Sequence, residues 1–153
     1  MTPSENFPPP KPGRIDRARF DAAHFPSTAQ LALRFDDLDV LMHVNNVSII
    51  ALLQEARVHF HRDMALPPLG NGLRTVVGGM NVEYGGELTY PGVIDASSGI
   101  LAVGRTSYTF AQLLRQNGQA AVYSQVTMVI TDANGPAQIP DSYRQALEAC
   151  GLK

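Results

Sequence analysis

The feature that most constrains the fold is a single segment of helical periodicity among segments that alternate apolar and polar residues. Over about residues 46–64, apolar side chains recur at intervals of three and four, and Pro67 and Pro68 end the run. The segments on either side have the two-residue period of strands with one buried face. Because one helix covers one face of one sheet, we expect a mostly buried helix along the concave side of a sheet.

The strand segments predict an α+β fold with about five strands. The first strand begins at Thr28, and four more follow the helix. Asn117 and Gly118, between the last two strands, are a strong signal for a hairpin turn. The later connections are too short for crossover helices, so the strands should be antiparallel. The residues predicted on the inner face of the later strands are Val76, Met80, Val82, Tyr84, Ile94, Ala96, Ile100, Ala102, Tyr108, Phe110, Leu114, Val122, Val126, Met128 and Ile130.

Length and proline content indicate one folded domain preceded by an arm. The chain has 153 residues, and six of its 11 prolines lie within residues 1–27, where they disfavour both helix and strand. We therefore expect a proline-rich N-terminal arm over residues 1–27 and a single domain over residues 28–153.

Charge, cysteine content and hydropathy exclude several classes of protein. With 12 basic and 14 acidic side chains, the chain lacks the positive field that binding to nucleic acid requires. Its single cysteine, Cys150, allows no intrachain disulfide and no cysteine-rich zinc site. The low cysteine content is consistent with a reducing cytoplasm. The chain has neither a run of 18 apolar residues nor, in its first 27 residues, the apolar core of a signal peptide, so we expect a cytoplasmic protein that does not bind membranes.

The residues suited to chemistry lie between the first strand and the helix. Residues 34–57 read RFDDLDVLMHVNNVSIIALLQEAR. Asn45 or Asn46 is suited to cap the helix, whose unpaired first N–H groups and positive dipole end stabilise a developing oxyanion. Asp39 is suited to act as a base or a nucleophile. Together these groups are the parts needed for acyl transfer.

The stretch DLDVLMHVNN, followed by QEAR at helical spacing, resembles the pattern D-x-D-x-x-G-H-V-N-N with a downstream E-A-R. That pattern is typical of the 4-hydroxybenzoyl-CoA thioesterase-like, or acyl-CoA thioester hydrolase, branch of the hotdog fold. The strand order between Thr28 and Asp132 also agrees with this family. The resemblance implies a curved antiparallel sheet wrapped around one long central helix. It also implies hydrolysis of an acyl-CoA thioester to a carboxylic acid and free CoA.

The resemblance further implies roles for individual residues in this reaction. The catalytic carboxylate, a general base or a nucleophile, corresponds to Asp39. The backbone amide that polarises the thioester carbonyl corresponds to Asn46, at the start of the helix. His43 and Asn45 correspond to residues around these two groups. No metal and no redox cofactor are implied, and coenzyme A enters only as part of the substrate.

The family's sites lie between subunits, so the resemblance implies a homodimer or a homotetramer. Gly78, Gly79 and Met80 of the neighbouring chain would then line the acyl pocket. One departure from the family pattern concerns the same pocket: Met42 stands where the family usually has glycine. We expect this side chain to affect the size of the substrate that the pocket accepts.

Several residues have structural alternatives. Aspartates before helices often accept hydrogen bonds from nearby backbone N–H groups, which would make Asp39 a turn residue. His43 either orients substrate or the Asp39 loop, or bonds to a backbone carbonyl. Another hotdog branch uses a helix carboxylate as nucleophile, but we expect Glu55 to pair with His59 at i+4. His59 and His61 project from different parts of the helix, so we expect no metal site.

Two alternative functions stay open at this point. A hotdog protein can bind acyl-CoA without turnover, and the replacement of glycine by Met42 favours this reading, whereas Asp39 speaks against it. A hotdog hydratase or dehydratase is the second alternative, because the triplet at residues 24–26, HFP, is similar to a dehydratase motif. That triplet lies within the predicted arm, ahead of the first strand.

Overall fold

The computed structural model describes residues 13–153, which form a six-stranded sheet, two α-helices and three short 3-10 helices. The long helix predicted from the sequence is confirmed, and a second helix near the C-terminus is absent from the prediction. The elements in chain order are β1 Ser27–Ala32, α1 Asn46–Asp63, β2 Arg74–Tyr84, β3 Val93–Val103, β4 Ser107–Gln116, β5 Gln119–Asp132, β6 Gly135–Pro136 and α2 Asp141–Ala149.

The sheet is antiparallel throughout, as predicted. Its strand order is β1-β3-β4-β5-β2, and β6 is a short addition that pairs with β5. The predicted hairpin joins β4 and β5, where Asn117 and Gly118 have φ angles of 53° and 77°. Glycine and asparagine are the residues that tolerate this left-handed region best. Consequently, among residues 13–153, β1 and β2 are the edges of the main sheet, and the 11-residue β2 pairs with one neighbour, β5.

The helix α1 packs against the inner face of the sheet through two apolar clusters. Its first half contributes Leu53, which is fully buried together with Ile94 of β3. Its last turn contributes Phe60, whose ring lies 5.0 Å from that of Phe110 in β4, and α2 closes this second cluster with Leu147. Complete burial of such a side chain contributes about 1.5–3 kcal/mol to folding. The arrangement confirms the predicted α+β architecture.

The outer face of the sheet is covered by residues 13–26. Ile15, Phe20 and Phe25 are buried and pack against Ala111 and Leu113, which alternate with the inner-face residues of β4. The described part of the predicted arm therefore belongs to the folded unit, because its apolar side chains shield a sheet face that neither α1 nor α2 covers. Residues 1–12 of that arm lie outside the described residues.

The two ends of the described chain meet on this outer face. The backbone N–H of Lys153 donates to the carbonyl of His24 at 2.9 Å. A Cβ atom on Gly99, in β3, would come within 2.7 Å of Leu152 and 2.8 Å of Pro26. Glycine at that position lets Pro26 and Leu152 approach the sheet.

The expectation of a mostly buried helix is wrong. Six of the 18 residues of α1 are buried, and Val47 and Val58 are 80% and 63% exposed. The sheet reaches only one side of the helix, so the opposite side keeps its apolar residues in contact with solvent.

Two of the inner-face predictions for β2, and one for β3, also require correction. Val76 and Tyr84 are exposed, and Ala102 is only partly buried. The register of β2 shifts between Val77 and Gly79, and that of β3 shifts before Ala102. Such bulges insert an extra residue, so Val76 and Ala102 point to the face opposite to the predicted one. Tyr84 keeps the register of Met80 and is exposed because it is the last residue of β2.

Candidate active site

A buried carboxylate holds the connection between β1 and α1. Asp37 is 2% exposed and accepts hydrogen bonds from the Arg34 backbone N–H at 2.8 Å and from its guanidinium at 3.2 Å. The carbonyl of Asp37 accepts from the Asn45 N–H at 2.8 Å. Burial raises the pKa of Asp37. Hydrogen bonds from Arg34 and Ser48 lower it, and their combined effect is larger than that of burial, so this pKa lies below its usual range. Asp37 therefore fixes the position at which the helix begins.

Asp39 opens a tight loop that leads directly into α1. Its Oδ1 accepts from the N–H groups of Leu41 at 2.9 Å and His43 at 3.2 Å. Leu38 and Val44 form a β-bridge that closes the loop. Within residues 13–153, Oδ2 of Asp39 has no hydrogen-bond partner, and the side chain is partly exposed. Asp39 thus stabilises the turn through Oδ1, and its Oδ2 is free to contact a reactant.

Met42 adopts the backbone conformation for which glycine is the usual residue. Its φ angle is 63°, in the left-handed region that costs a residue with a Cβ atom about 1–2 kcal/mol. Its side chain is 59% exposed, so it does not pack into the core of its own chain. Other exposed apolar side chains lie near it in the sequence: Phe35, Val40, Leu41 and Val47.

Asn45 caps the helix, and Asn46 is the first helical residue. The Oδ1 of Asn45 accepts from the N–H of Ser48 at 2.8 Å, and its carbonyl accepts from the N–H of Ile49 at 3.0 Å. Within the part of the chain that the structure describes, the N–H groups of Asn46 and Val47 have no acceptor. The predicted amide of Asn46 is therefore free to donate, and Val47 adds a second donor that the prediction lacks.

The ring of His43 lies beside a carboxylate, and among residues 13–153 it forms no hydrogen bond with a backbone carbonyl, so its role towards substrate stays a prediction. Its Nε2 lies 3.4 Å from Oε2 of Glu87, in the connection between β2 and β3, and both side chains are partly exposed. The backbone of His43 bonds twice to Asp39, because its N–H donates to the carboxylate and its carbonyl accepts from the Asp39 N–H at 2.9 Å. Glu87 is distant in sequence, and no spacing signal relates it to the motif.

The other helix residues considered for chemistry lie apart from the Asp39 loop. Glu55 and His59 form the predicted i+4 pair, with 3.8 Å between Oε1 and Nε2. His61 instead packs its ring against Phe60 and Phe110. Among residues 13–153, no three side chains of His, Cys, Asp or Glu come together as a metal site would require.

Gly78, Gly79 and Met80 lie on the edge strand β2. A Cβ atom on Gly78 would come within 2.7 Å of Val129, whereas one on Gly79 would meet nothing within 4 Å. No hydrogen bond among residues 13–153 joins these three residues to the Asp39 loop. Their contribution to an acyl pocket in a neighbouring chain stays a prediction.

A polar network crosses the interior beneath the second half of α1. Arg57 is 7% exposed, and its Nη1 donates to Oε1 of Gln112 at 2.9 Å. Gln112, fully buried in β4, donates to the carbonyl of Leu53 at 2.9 Å and to Oγ of Ser98 at 3.2 Å. Burial lowers the pKa of the Arg57 guanidinium, although arginine remains protonated in proteins.

The arrangement of one carboxylate beside a capped helix start is accompanied by a match to a known family. The family model of the thioesterase-like superfamily matches residues 33–147, which include the whole motif. The chain belongs to this superfamily. The predicted hotdog thioesterase is therefore confirmed at the level of family and fold. A search of curated proteins gave no match.

Solved thioesterase structures share the fold of this thioesterase. A thioesterase from Thermus thermophilus, complexed with coenzyme A and zinc, is 27% identical, with a TM-score of 0.75 over 83% of this chain and 95% of that one. A predicted thioesterase from Bacillus stearothermophilus is 24% identical, with a TM-score of 0.74 over 82% and 96%. A gentisyl-coenzyme A thioesterase is 15% identical, with a TM-score of 0.71 over 79% and 99%. In residues 13–153, no helix has the length and hydropathy needed to cross a bilayer.

Proposed function

We propose that this thioesterase hydrolyses an acyl-CoA thioester to a carboxylic acid and free CoA, with Asp39 as the catalytic carboxylate. The observation that carries the proposal is the free Oδ2 of Asp39 in the loop that leads to the free N–H groups of Asn46 and Val47. The T. thermophilus relative complexed with coenzyme A supports CoA as the leaving group.

The reaction has two routes that use the same oxygen of Asp39. As a general base, Asp39 takes a proton from water, and the water oxygen bonds to the thioester carbon. The resulting oxyanion accepts hydrogen bonds from Asn46 and Val47, and its collapse breaks the C–S bond. The CoA thiolate leaves and takes up the proton. As a nucleophile, Asp39 bonds to the thioester carbon itself, the C–S bond breaks, and the CoA thiolate leaves. Water then opens the anhydride, which gives the carboxylic acid and restores the Asp39 carboxylate, and the thiolate takes up the proton of that water.

The decisive experiment measures release of free thiol from a panel of acyl-CoAs. Asp39→Asn keeps an Oδ1 that accepts from Leu41 and His43, so the loop should retain its shape. We expect its kcat to fall at least about 100-fold, the usual minimum for loss of acid–base catalysis. The matched control is Asp36→Asn, which alters an exposed carboxylate three residues away and should leave the rate unchanged.

The outcomes separate the alternatives. A parental rate in folded Asp39→Asn would show that another group performs the chemistry. A parent that binds acyl-CoAs but releases no thiol would favour the non-catalytic binding protein, and release of water across a double bond would favour the hydratase.

We also propose that two copies pair through β2, so that Gly79 of one copy faces the site of the other. β2 is a long edge strand, and its Val76 and Val77 are exposed. Unprotected edges of this kind readily pair with another chain. The exposed apolar side chains of Val40, Leu41 and Met42 in the Asp39 loop support the same proposal, because exposed apolar surface is characteristic of interaction sites.

Mixing two inactive variants tests this shared site. Gly79→Leu adds a side chain where the chain's own atoms leave open space, so the subunit should still fold. A mixed dimer of Gly79→Leu and Asp39→Asn subunits contains one intact site, and we expect co-expression to restore thiol release. A monomer with full activity would refute the proposal, and sedimentation would distinguish a dimer from a tetramer.

A further inference from the structure

A cavity of about 300 Å³ opens between the second half of α1 and strands β2 and β5. Two of its walls are apolar, and the helix supplies the polar groups. Among the described residues, no carboxylate lines it. The lining residues are Gln54, Arg57, Val58, His61, Val77 and Met128.

Arg57 brings an uncompensated positive charge to this cavity. Its Nη1 is engaged by Gln112, but its other N–H groups donate to no residue among 13–153, and no carboxylate of that range contacts it. A guanidinium removed from water to this degree is costly unless an anion or further acceptors pair with it. Its planar fork of donors fits a carboxylate, which can accept two hydrogen bonds at once.

His61 reports on the charge inside the same cavity. Its ring lies 5.9 Å from that of Phe110, and the residue is partly exposed. Burial, and then the positive charge of Arg57, lower the pKa of His61. An anion that neutralises Arg57 would oppose the second effect and raise this pKa.

One face of α1 connects the cavity to the start of the helix. Val47, Ile50, Gln54, Val58 and His61 follow at intervals of three or four, so they lie along one side of the helix. The three apolar members of this row are exposed. From Asn46 to Arg57 the helix rises about 16 Å, at 1.5 Å per residue. An extended acyl chain lying on this row would carry its far end to the cavity.

We infer that the cavity beside Arg57 binds a carboxylate at the far end of the acyl chain, which makes long ω-carboxyacyl thioesters the preferred substrates. The inference rests on the proposed function, because it assumes that the thioester carbonyl lies at the start of α1. The exposed row carries the methylene chain, and Arg57, assisted by Gln54 and His61, receives the terminal anion.

The test compares pairs of acyl-CoAs of equal chain length that end in a methyl group or in a carboxylate. For chains that span about 16 Å, we expect the carboxylate to raise kcat/KM at least about tenfold. A succinyl group is too short to reach Arg57 and should gain nothing. Arg57→Met should abolish the gain. Arg62→Met is the matched control, because Arg62 is exposed and bonded to Asp63 outside the cavity, so it should keep the gain.

A second measurement covers the case in which Arg57→Met fails to fold because Gln112 loses its donor. The pKa of His61 in the parent protein is measured by NMR with a long straight-chain dicarboxylic acid and with the diol of equal length, which carries no carboxylate. We expect the diacid alone to raise this pKa. Equal kcat/KM for both chain ends, or no effect of the diacid on His61, would overturn the inference.

The two proposals can fail separately. If no acyl-CoA is hydrolysed, the proposed function fails, and the NMR titration still decides whether the cavity binds a carboxylate. If thiol is released without preference for a carboxylate, only the cavity assignment fails. Dissociation of the oligomer in Arg57→Met, together with a His61 pKa that the diacid does not move, would assign Arg57 to the subunit interface instead.

Discussion

Substitutions at Met42 test the argument that this loop requires a left-handed residue. At a φ of 63°, a Cβ atom costs about 1–2 kcal/mol, whereas glycine costs nothing there. Glycine loses about 0.4–1 kcal/mol more backbone entropy than alanine on folding. Because alanine and glycine both remove the exposed side chain, their difference isolates the backbone. We expect Met42→Gly to be more stable than Met42→Ala by about 0.5–1 kcal/mol.

The assay is urea unfolding at one protein concentration, since assembly makes apparent stability depend on concentration. Val40 provides a control in the same loop, because it is 96% exposed and is absent from the residues with positive φ. At Val40 a Cβ atom causes no backbone strain, so only the larger backbone entropy of unfolded glycine matters. Val40→Gly should therefore be less stable than Val40→Ala by about 0.4–1 kcal/mol. The two positions should therefore give opposite signs. The same sign at both would refute the reasoning.

Three further predictions concern the elements around the loop. Asn45→Ala should lower the free energy of unfolding by about 1 kcal/mol, and Asn46→Ala by less than about 0.5, as urea unfolding would measure; equal effects would mean that the cap is misassigned. Phe20→Ala should cost about 3–5 kcal/mol if residues 13–26 belong to the folded unit, whereas an independent arm would show no loss. The pKa of Asp37 is lower in the folded protein than in the unfolded chain. The ionised carboxylate therefore stabilises the fold at pH values above the unfolded pKa, and this stabilisation is lost as the pH falls through the folded pKa. The stability gap between Asp37→Asn and the parent should narrow below about pH 4, and a constant gap would contradict this.

Local periodicity predicts the main elements well, because α1 and the long strands each have enough residues to display their period. The second helix, α2, escaped prediction since it is short and presents only two buried residues, Tyr143 and Leu147. The packing of Phe20 and its neighbours was also missed. The prolines of this segment predict only that its backbone forms neither a long helix nor a strand. Its burial depends on an outer sheet face formed by residues far along the chain.

The Asp39 loop was predictable because its residues are contiguous and its hydrogen bonds are local. The choice between Asn45 and Asn46 as cap was not, since it depends on where Asp37 anchors the chain. The Arg57 network joins residues more than fifty positions apart. A signal for it existed in β4, where Gln112 interrupts an otherwise apolar inner face.

The contact of residues 24–26 with Leu152 and Lys153 beside Gly99 has a practical consequence for handling this protein. Residues 13–26 contact Leu152 and Lys153, and both segments pack against β3. A tag fused directly after Lys153 would disturb the hydrogen bond from the Lys153 N–H to the His24 carbonyl. It would thereby also disturb the packing of residues 13–26 on the sheet. Affinity handles and reporter fusions therefore need a flexible spacer at the C-terminus.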